Sequence, residues 1–409
     1  MRILQLVHQY PPQFVGGTEL YTQSLAQGLS ARGHEVGVFH RASAPGTGLA
    51  QREEGGAIVW DAWHGRVTAL SRIVAAFHDP VLTAYVNTIL DEWQPDVVHI
   101  QHLMGLPTTL IPLLRRRDIP FAITLHDYWW VCANAQLLTN YSQRICGGPC
   151  AYINCACCAL ARAGVPYGLP AVPALAVVLA ERARRLRRGL RQATLLIAPS
   201  RFVMRWYTDH VAPGAEIRVV PHGLVSPPKG QLQRRGEGPL RCLYVGGLSW
   251  QKGVHVVIEA VSPLGNATLA IAGDEAADPQ YSARLRSLAG PNTRFMGRLS
   301  RSAVWDALRA ADLLVVPSLW YETFSIVVRE AFAVGIPVLV SDLGALSEAV
   351  RDGIDGLCLP PGDVAAWRGA IDSLSTDPDR LAAMRGAVGP PVSMEEHLGT
   401  IEKLYAGCV

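Results

Sequence analysis

The chain has 409 residues, about 2.7 times the roughly 150 of a typical domain, so two domains are expected and a single small module is excluded. With 49% hydrophobic and 17% charged residues it can bury large cores and is not a disordered chain. Thirty-seven Lys and Arg against thirty-four Asp and Glu leave a formal charge of +3, too little to require a nucleic acid or a membrane as partner of the whole molecule.

The opening MRILQLVHQYPP carries one Arg and an apolar run broken by His8 and Gln9, and it reads as a strand rather than a secretory signal. Strand-like runs then alternate with helical segments: RILQLVH, a helix over 18–32, HEVGVFH, DVVHIQ, FAITLH and TLLIAPS. The rhythm restarts at Leu240 with LRCLYVG, TLAIAG, TRFMG, LLVVPS and IPVLVS. Apolar strands separated by helices predict parallel sheets covered on both faces, an α/β fold of two doubly wound domains. The Pro-, Gly- and charge-rich stretch 225–239 reads as a linker between an N-terminal domain over 1–224 and a C-terminal domain over 240–390. Residues 391–409 carry a terminal helix that is free to dock back on the N-terminal domain. The longest apolar run, 169–180, is too short for the roughly 20 residues of a membrane-spanning helix and contains Pro170 and Pro173. A soluble or peripheral cytoplasmic protein with reduced thiols is expected.

Candidate chemistry concentrates in a few places. In WYETFSIVVREAFAVGIPV a helix is expected to begin near Phe324, so that the backbone N–H groups of Thr323, Phe324, Ser325 and Ile326 favour an anion. Glu322 lies in the loop before it. Glu330 lies within the helix, where a carboxylate can accept from both hydroxyls of a ribose; two solvated glutamates are the plain alternative. Gly16 and Gly17 follow the first strand, where absent side chains let backbone N–H groups approach a diphosphate, or simply make a turn. Lys252 offers an ammonium to such a diphosphate, against the alternative of a solvated lysine. His126 ends FAITLH, where a buried, satisfied imidazole is the plain account. The Asp377-Pro378-Asp379 string reads as a cap or turn, so no catalytic metal is expected.

Glu322 and Glu330, separated by seven residues and followed by AFAVGIPVLVSD, resemble the Glu-x7-Glu signature of the retaining glycosyltransferases of family 4, which have the GT-B fold. FVGGTELY resembles the family's N-terminal glycine loop, ITLHD its histidine loop, APSRF and VVPHG the entry to the second domain, and VGGLSWQKG the phosphate-binding lysine turn. The resemblance implies two Rossmann-like domains facing across a cleft. It implies metal-independent, same-face transfer of a hexose from a nucleoside-diphosphate sugar, with a UDP- or GDP-sugar expected, to a hydroxyl of a glycan, lipid-linked or small-molecule acceptor. Lys252, Gly16, Gly17 and the 323–326 helix start would hold the diphosphate, Glu322 the sugar hydroxyls, Glu330 the ribose, and His126 the transferred sugar. The chain departs from the pattern at Gly247, where the family usually has an arginine five residues before Lys252; either Arg329, Arg298 or another basic group substitutes, or the donor is bound more weakly. Ser325 replaces a frequent glycine, and His222 a usual asparagine. A non-catalytic sugar-nucleotide-binding protein and a sugar-nucleotide epimerase are the alternatives. A dehydrogenase is weaker, because Gly16-Gly17 does not complete G-x-G-x-x-G.

Six of the nine cysteines lie between 132 and 158. Cys155 and Cys158 have C-x2-C spacing, and Cys132 and Cys146 could complete a structural zinc set, as a subset of the family resembles; a loop that merely carries thiols is the alternative. Arg182, Arg184, Arg185, Arg187, Arg188 and Arg191 make 181–191 a basic helix suited to an anionic membrane surface or simply to solvent. Trp60, Trp63, Trp129 and Trp130 offer flat surfaces for a sugar, or core packing. No nucleic-acid partner is expected.

Overall fold

The computed structural model describes residues 1–65, 77–165, 170–228, 230–232 and 238–409. Residue 169 of the apolar run, and residues 229 and 233–237 of the expected linker, lie outside them. The chain divides into two compact units, Met1–Gly223 with Met394–Val409, and Leu224–Ser393.

Unit 1 is built on an eight-stranded sheet of order β3-β4-β2-β1-β5-β6-β7-β8. The strands are β1 Arg2–Val7, β2 Glu35–Arg41, β3 Thr47–Glu54, β4 Ala57–His64, β5 Val97–Ile100, β6 Phe121–Thr124, β7 Leu195–Ala198 and β8 Ile217–Val219. In β5 and β6 every residue is buried, as expected where helices cover both faces. One pair departs from the parallel pattern: β3 and β4 form an antiparallel hairpin at the sheet edge. Its turn, Gly55-Gly56, holds both residues at positive φ (57° and 81°), the conformation a tight two-residue hairpin needs. β1 lies between β2 and β5, so the chain leaves it in opposite directions on its two sides. The loops after β1 and β5 therefore meet at a topological switch point, where ligands of such sheets bind.

The C-terminal helix, Met394–Ala406, is part of this unit. Its Leu398, Ile401 and Tyr405 enter the same core as Ile3, Val38 and Val97. The buried Tyr405 hydroxyl lies 2.5 Å from His99 Nδ1, which ties the last helix to the middle of the sheet.

Unit 2 has a wholly parallel sheet of order β11-β10-β9-β12-β13-β14. These are β9 Leu240–Val245, β10 Ala267–Ala272, β11 Thr293–Gly297, β12 Leu313–Val316, β13 Val338–Ser341 and β14 Gly356–Leu359. The switch point falls between β9 and β12, the two strands whose following loops carry Lys252 and Glu322.

Candidate functional site

In unit 2, β9 runs through Gly246 and Gly247 into the short 3-10 turn Trp250–Lys252 and then the Val254–Val261 helix. Gly253 has φ 68°, and a Cβ there would stand 1.9 Å from the Pro317 carbonyl oxygen, so only glycine lets this turn press against the loop after β12. The Leu319 N–H donates to the Gln251 carbonyl at 2.8 Å and locks the two loops together. Lys252 Nζ thereby reaches Glu322 Oε1 at 2.7 Å. The same oxygen accepts from Ser318 Oγ at 2.8 Å and from Trp320 Nε1 at 3.1 Å. Burial opposes ionisation of Glu322, but the Lys252 charge and these hydrogen bonds hold its carboxyl below the usual range. The Trp320 ring also lies 5.1 Å from Nζ, a cation–π contact on the same ammonium.

The helix expected near Phe324 starts two residues later, spanning Ile326–Ala333. Ser325 is its N-cap at φ 59°, a left-handed conformation that breaks helical geometry there, and its side chain makes no cap bond. Thr323, Phe324 and Ser325 are thus loop residues, with Ile326 the first helical one. Glu330, on the buried face, pairs with Arg301 from the Arg301–Ala310 helix. Burial pushes Glu330 above the usual carboxylate range, and the half-exposed Arg301 only partly offsets it. Neither solvated glutamate of the plain alternative is present, since both side chains are largely buried and ion-paired.

Two arginines are candidates for the role of the one absent at Gly247. Arg298 is exposed after β11, and Arg329 stacks on Phe324 and donates to the Ala349 carbonyl at 3.3 Å. Gly247 has no atom within 4 Å of where a Cβ would stand, so a side chain would be accommodated there. Asp377 caps the Pro378–Ala387 helix, accepting from the Arg380 N–H at 2.9 Å.

In unit 1, Gly16 is the extended N-cap of the Gly17–Ala31 helix. Glu19, three residues on, folds its carboxylate back over it, and a Cβ on Gly16 would lie 2.5 Å from Glu19 Oε2. Burial raises the Glu19 pKa, while the Gly16 and Glu19 N–H groups pull it down. The glycine loop therefore already holds a carboxylate where a phosphate was expected. Glu19 was not among the sequence candidates; its signal is the acidic residue three past the cap, a position from which a side chain reaches back to the N-cap N–H.

His126 follows β6, buried, with Nε2 donating to Gln101 Oε1 at 2.7 Å. Burial, with neighbouring His222, His102, His99 and His8, holds its pKa well below the usual imidazole value, so it is neutral. Two further imidazoles gather beside it. His102 accepts from the Met104 N–H at Nδ1 and so donates from Nε2 to Asp127 at 3.0 Å; His8 stands 3.3 Å from Glu19, and the two rings are 4.4 Å apart. These residues come from the ends of β1, β5 and β6 and were not legible as a group in the chain.

Cys132, Cys146, Cys155 and Cys158 lie close enough to perturb one another: burial first, then the three other thiols, push Cys155 up to about 12. Among the described residues, however, no three His, Cys, Asp or Glu side chains are arranged to hold a metal ion, so the expected zinc set does not fit as it stands. Cys158 Sγ accepts from the Asn140 N–H at 3.2 Å and Asn134 Nδ2 at 3.0 Å and donates to the Leu138 carbonyl at 3.8 Å, and Cys146 Sγ donates to the Gly148 carbonyl at 3.4 Å. Trp60, Trp129 and Trp130 are buried, which favours core packing over a sugar platform. Arg182, alone of the described basic run in being fully tucked away, stacks on Trp129 at 4.6 Å and donates to its carbonyl at 2.8 Å.

Residues 15–225 match the family described as Glycosyltransferase Family 4, and residues 231–387 that described as Glycosyl transferases group 1. Glycogen synthase of Mycobacterium tuberculosis is 30% identical, the match covering 89% of this chain and 84% of the relative. Sucrose-phosphate synthase from Thermosynechococcus elongatus shares the fold with a TM-score of 0.73 at 19% identity, over 99% of this chain and 98% of that one. Anabaena HepE, solved with UDP and glucose, gives 0.69 at 16% identity over 99% of each chain. The fold of two Rossmann-like α/β units is thus GT-B. With a family match across more than half its length and a relative alike over most of both chains, the chain belongs to glycosyltransferase family 4.

Proposed function

We propose that this chain moves a hexose from a nucleoside-diphosphate sugar to an acceptor hydroxyl with retention at the anomeric carbon and without a catalytic metal. The observation that carries the reading is the Lys252–Glu322 pair, a cation and a fixed carboxylate set 2.7 Å apart at the switch point of unit 2. The anomeric C–O bond to the diphosphate breaks, the acceptor oxygen bonds to the same face, and the leaving phosphate oxygen takes the acceptor proton. No separate general base is then required. Lys252 stabilises the charge that develops on the diphosphate, and Glu322, fixed by three donors on one oxygen, receives sugar hydroxyls. Glu330 accepts from the ribose. His126, neutral and held in one tautomer by Gln101, hydrogen-bonds the transferred sugar. A UDP- or GDP-sugar is the donor we favour; the likeness to HepE, solved with UDP and glucose, supports the former. The acceptor is a glycan, a lipid-linked sugar or a small molecule.

A thermal-shift panel of UDP-, GDP-, ADP- and dTDP-sugars tests this, because a bound donor raises the melting temperature by mass action. Glu330→Ala should abolish the nucleotide-induced shift. Glu322→Ala should keep it and lose turnover. If no nucleotide sugar shifts the wild-type protein, the reading fails.

A further inference from the structure

The Val172–Gln192 helix sends its arginines in different directions. Arg182 is buried, whereas Arg184, Arg185 and Arg188 are exposed and line one side of a groove of about 300 Å³. Thr108, Thr109 and Pro112 line the groove too, with the buried Ile111 and the small Gly189 among its lining. Glu181 orients two of the three cations: it accepts from Arg184 Nε at 2.7 Å and Nη2 at 2.9 Å, and from Arg185 Nε at 2.7 Å. Those hydrogen bonds lower the Glu181 pKa to about 2, so its charge is constant at any working pH. Arg188 has no carboxylate partner among the described residues. Three guanidinium charges against one carboxylate leave two positive charges in a groove whose chain carries only +3 in all.

Two positive charges match a phosphate monoester, which carries about −1.5 to −2 near neutral pH. Planar guanidinium forks suit its oxygens, and threonine hydroxyls can add donors. None of the lining residues belongs to the transferase site described above. We propose that this groove is a second binding site, for a phosphate monoester. The monoester has two sources. It is either a soluble phosphorylated sugar or the head group of a phosphatidic-acid-type lipid; Val177 and Val178, exposed about two turns earlier on the same helix, would meet acyl chains in the second case.

The test titrates the whole chain calorimetrically with glucose 6-phosphate and with inorganic phosphate, and sediments it with phosphatidylcholine vesicles with and without phosphatidic acid. Each arm is repeated on the double variant Arg184→Ala, Arg188→Ala, whose exposed positions leave the fold intact by circular dichroism. A soluble source predicts glucose 6-phosphate binding that weakens roughly tenfold or more in the variant, without vesicle retention. A lipid source predicts retention only on phosphatidic-acid vesicles, lost in the variant. Binding to no probe, or binding of any probe equal in wild type and variant, overturns the proposal. Because the readout is binding alone, it stands or falls independently of donor binding at Lys252.

Discussion

Unit 2 sets each site carboxylate against a cation, Lys252 with Glu322 across two loops and Arg301 with Glu330 between two helices, whereas unit 1 buries imidazoles in neutral form beneath its loops. Lys252 with Glu322 and Arg301 with Glu330 are charge pairs. By contrast His99, His126, His222 and His397 all have depressed pKa values, chiefly through burial, with His99 at about 3 and His397 at about 4. Hydrogen bonds run from Tyr405 through His99 and Gln101 to His126, while Tyr21 lies 2.9 Å from His397 and its ring packs 4.0 Å from that of His222. Of twelve histidines only His255 belongs to unit 2. The same sheet architecture thus supports a charged site in one unit and a neutral hydrogen-bonded network in the other, and the two should answer differently to pH and to substitution.

Acid should separate them most strongly. The unfolded imidazole titrates near 6.5, and the folded values in unit 1 lie lower, so the unfolded state binds more protons as pH falls. The stabilisation is complete above 6.5 and is lost progressively toward about 4 and 3. For His99 and His397 the loss is up to about 1.4 kcal/mol each per pH unit across that window, and His126 and His222 add in the same direction. Hydrogen exchange read by mass spectrometry one pH unit below 6.5 should show protection falling in the peptides around His99 and Tyr405 before those around Lys252. Equal loss in both units would remove the contrast.

A smaller effect is expected from adding charge to unit 2. Gly247→Arg places a guanidinium in open space five residues before Lys252 and should tighten nucleotide-sugar binding about tenfold, equivalent to roughly 1.5 kcal/mol for a charge-assisted hydrogen bond. Unchanged affinity by calorimetry would mean that the diphosphate lies elsewhere. The smallest effect belongs to Ser325. Relieving its φ of 59° with Ser325→Gly should stabilise unit 2 by about 1 kcal/mol in denaturant unfolding, with nucleotide binding retained. No gain would show that the loop holds Ser325 without strain.

The contrast also explains what could be read in the chain. Lys252, Glu322 and Glu330 sit in linear segments beside buried strands, so residue type, spacing and the family resemblance singled them out as candidates before any contact was known. Glu19 was legible only as a capping position, and the grouping of His8, His102 and Asp127 depends on β1, β5 and β6 standing side by side. The β3–β4 hairpin was hidden by its polar edge strand, though Gly55-Gly56 was its signal. The cysteine spacing suggested a metal, but spacing does not fix where sulfurs point, and contacts such as those of Asn134 and Asn140 to Cys158 depend on the folded loop.

Sugar transfer by wild type and by Lys252→Ala, with EDTA present throughout and nucleotide-sugar consumption as the readout, tests the centre of the account. Lys252 is partly exposed, so its truncation should leave the fold intact by circular dichroism. The expected result is metal-free turnover by wild type and a loss of about 10²–10³ in kcat/KM for the variant, the scale of removing one preorganised charge stabiliser. Equal turnover in the two proteins, or wild-type turnover that EDTA abolishes and Mg²⁺ restores, would contradict it.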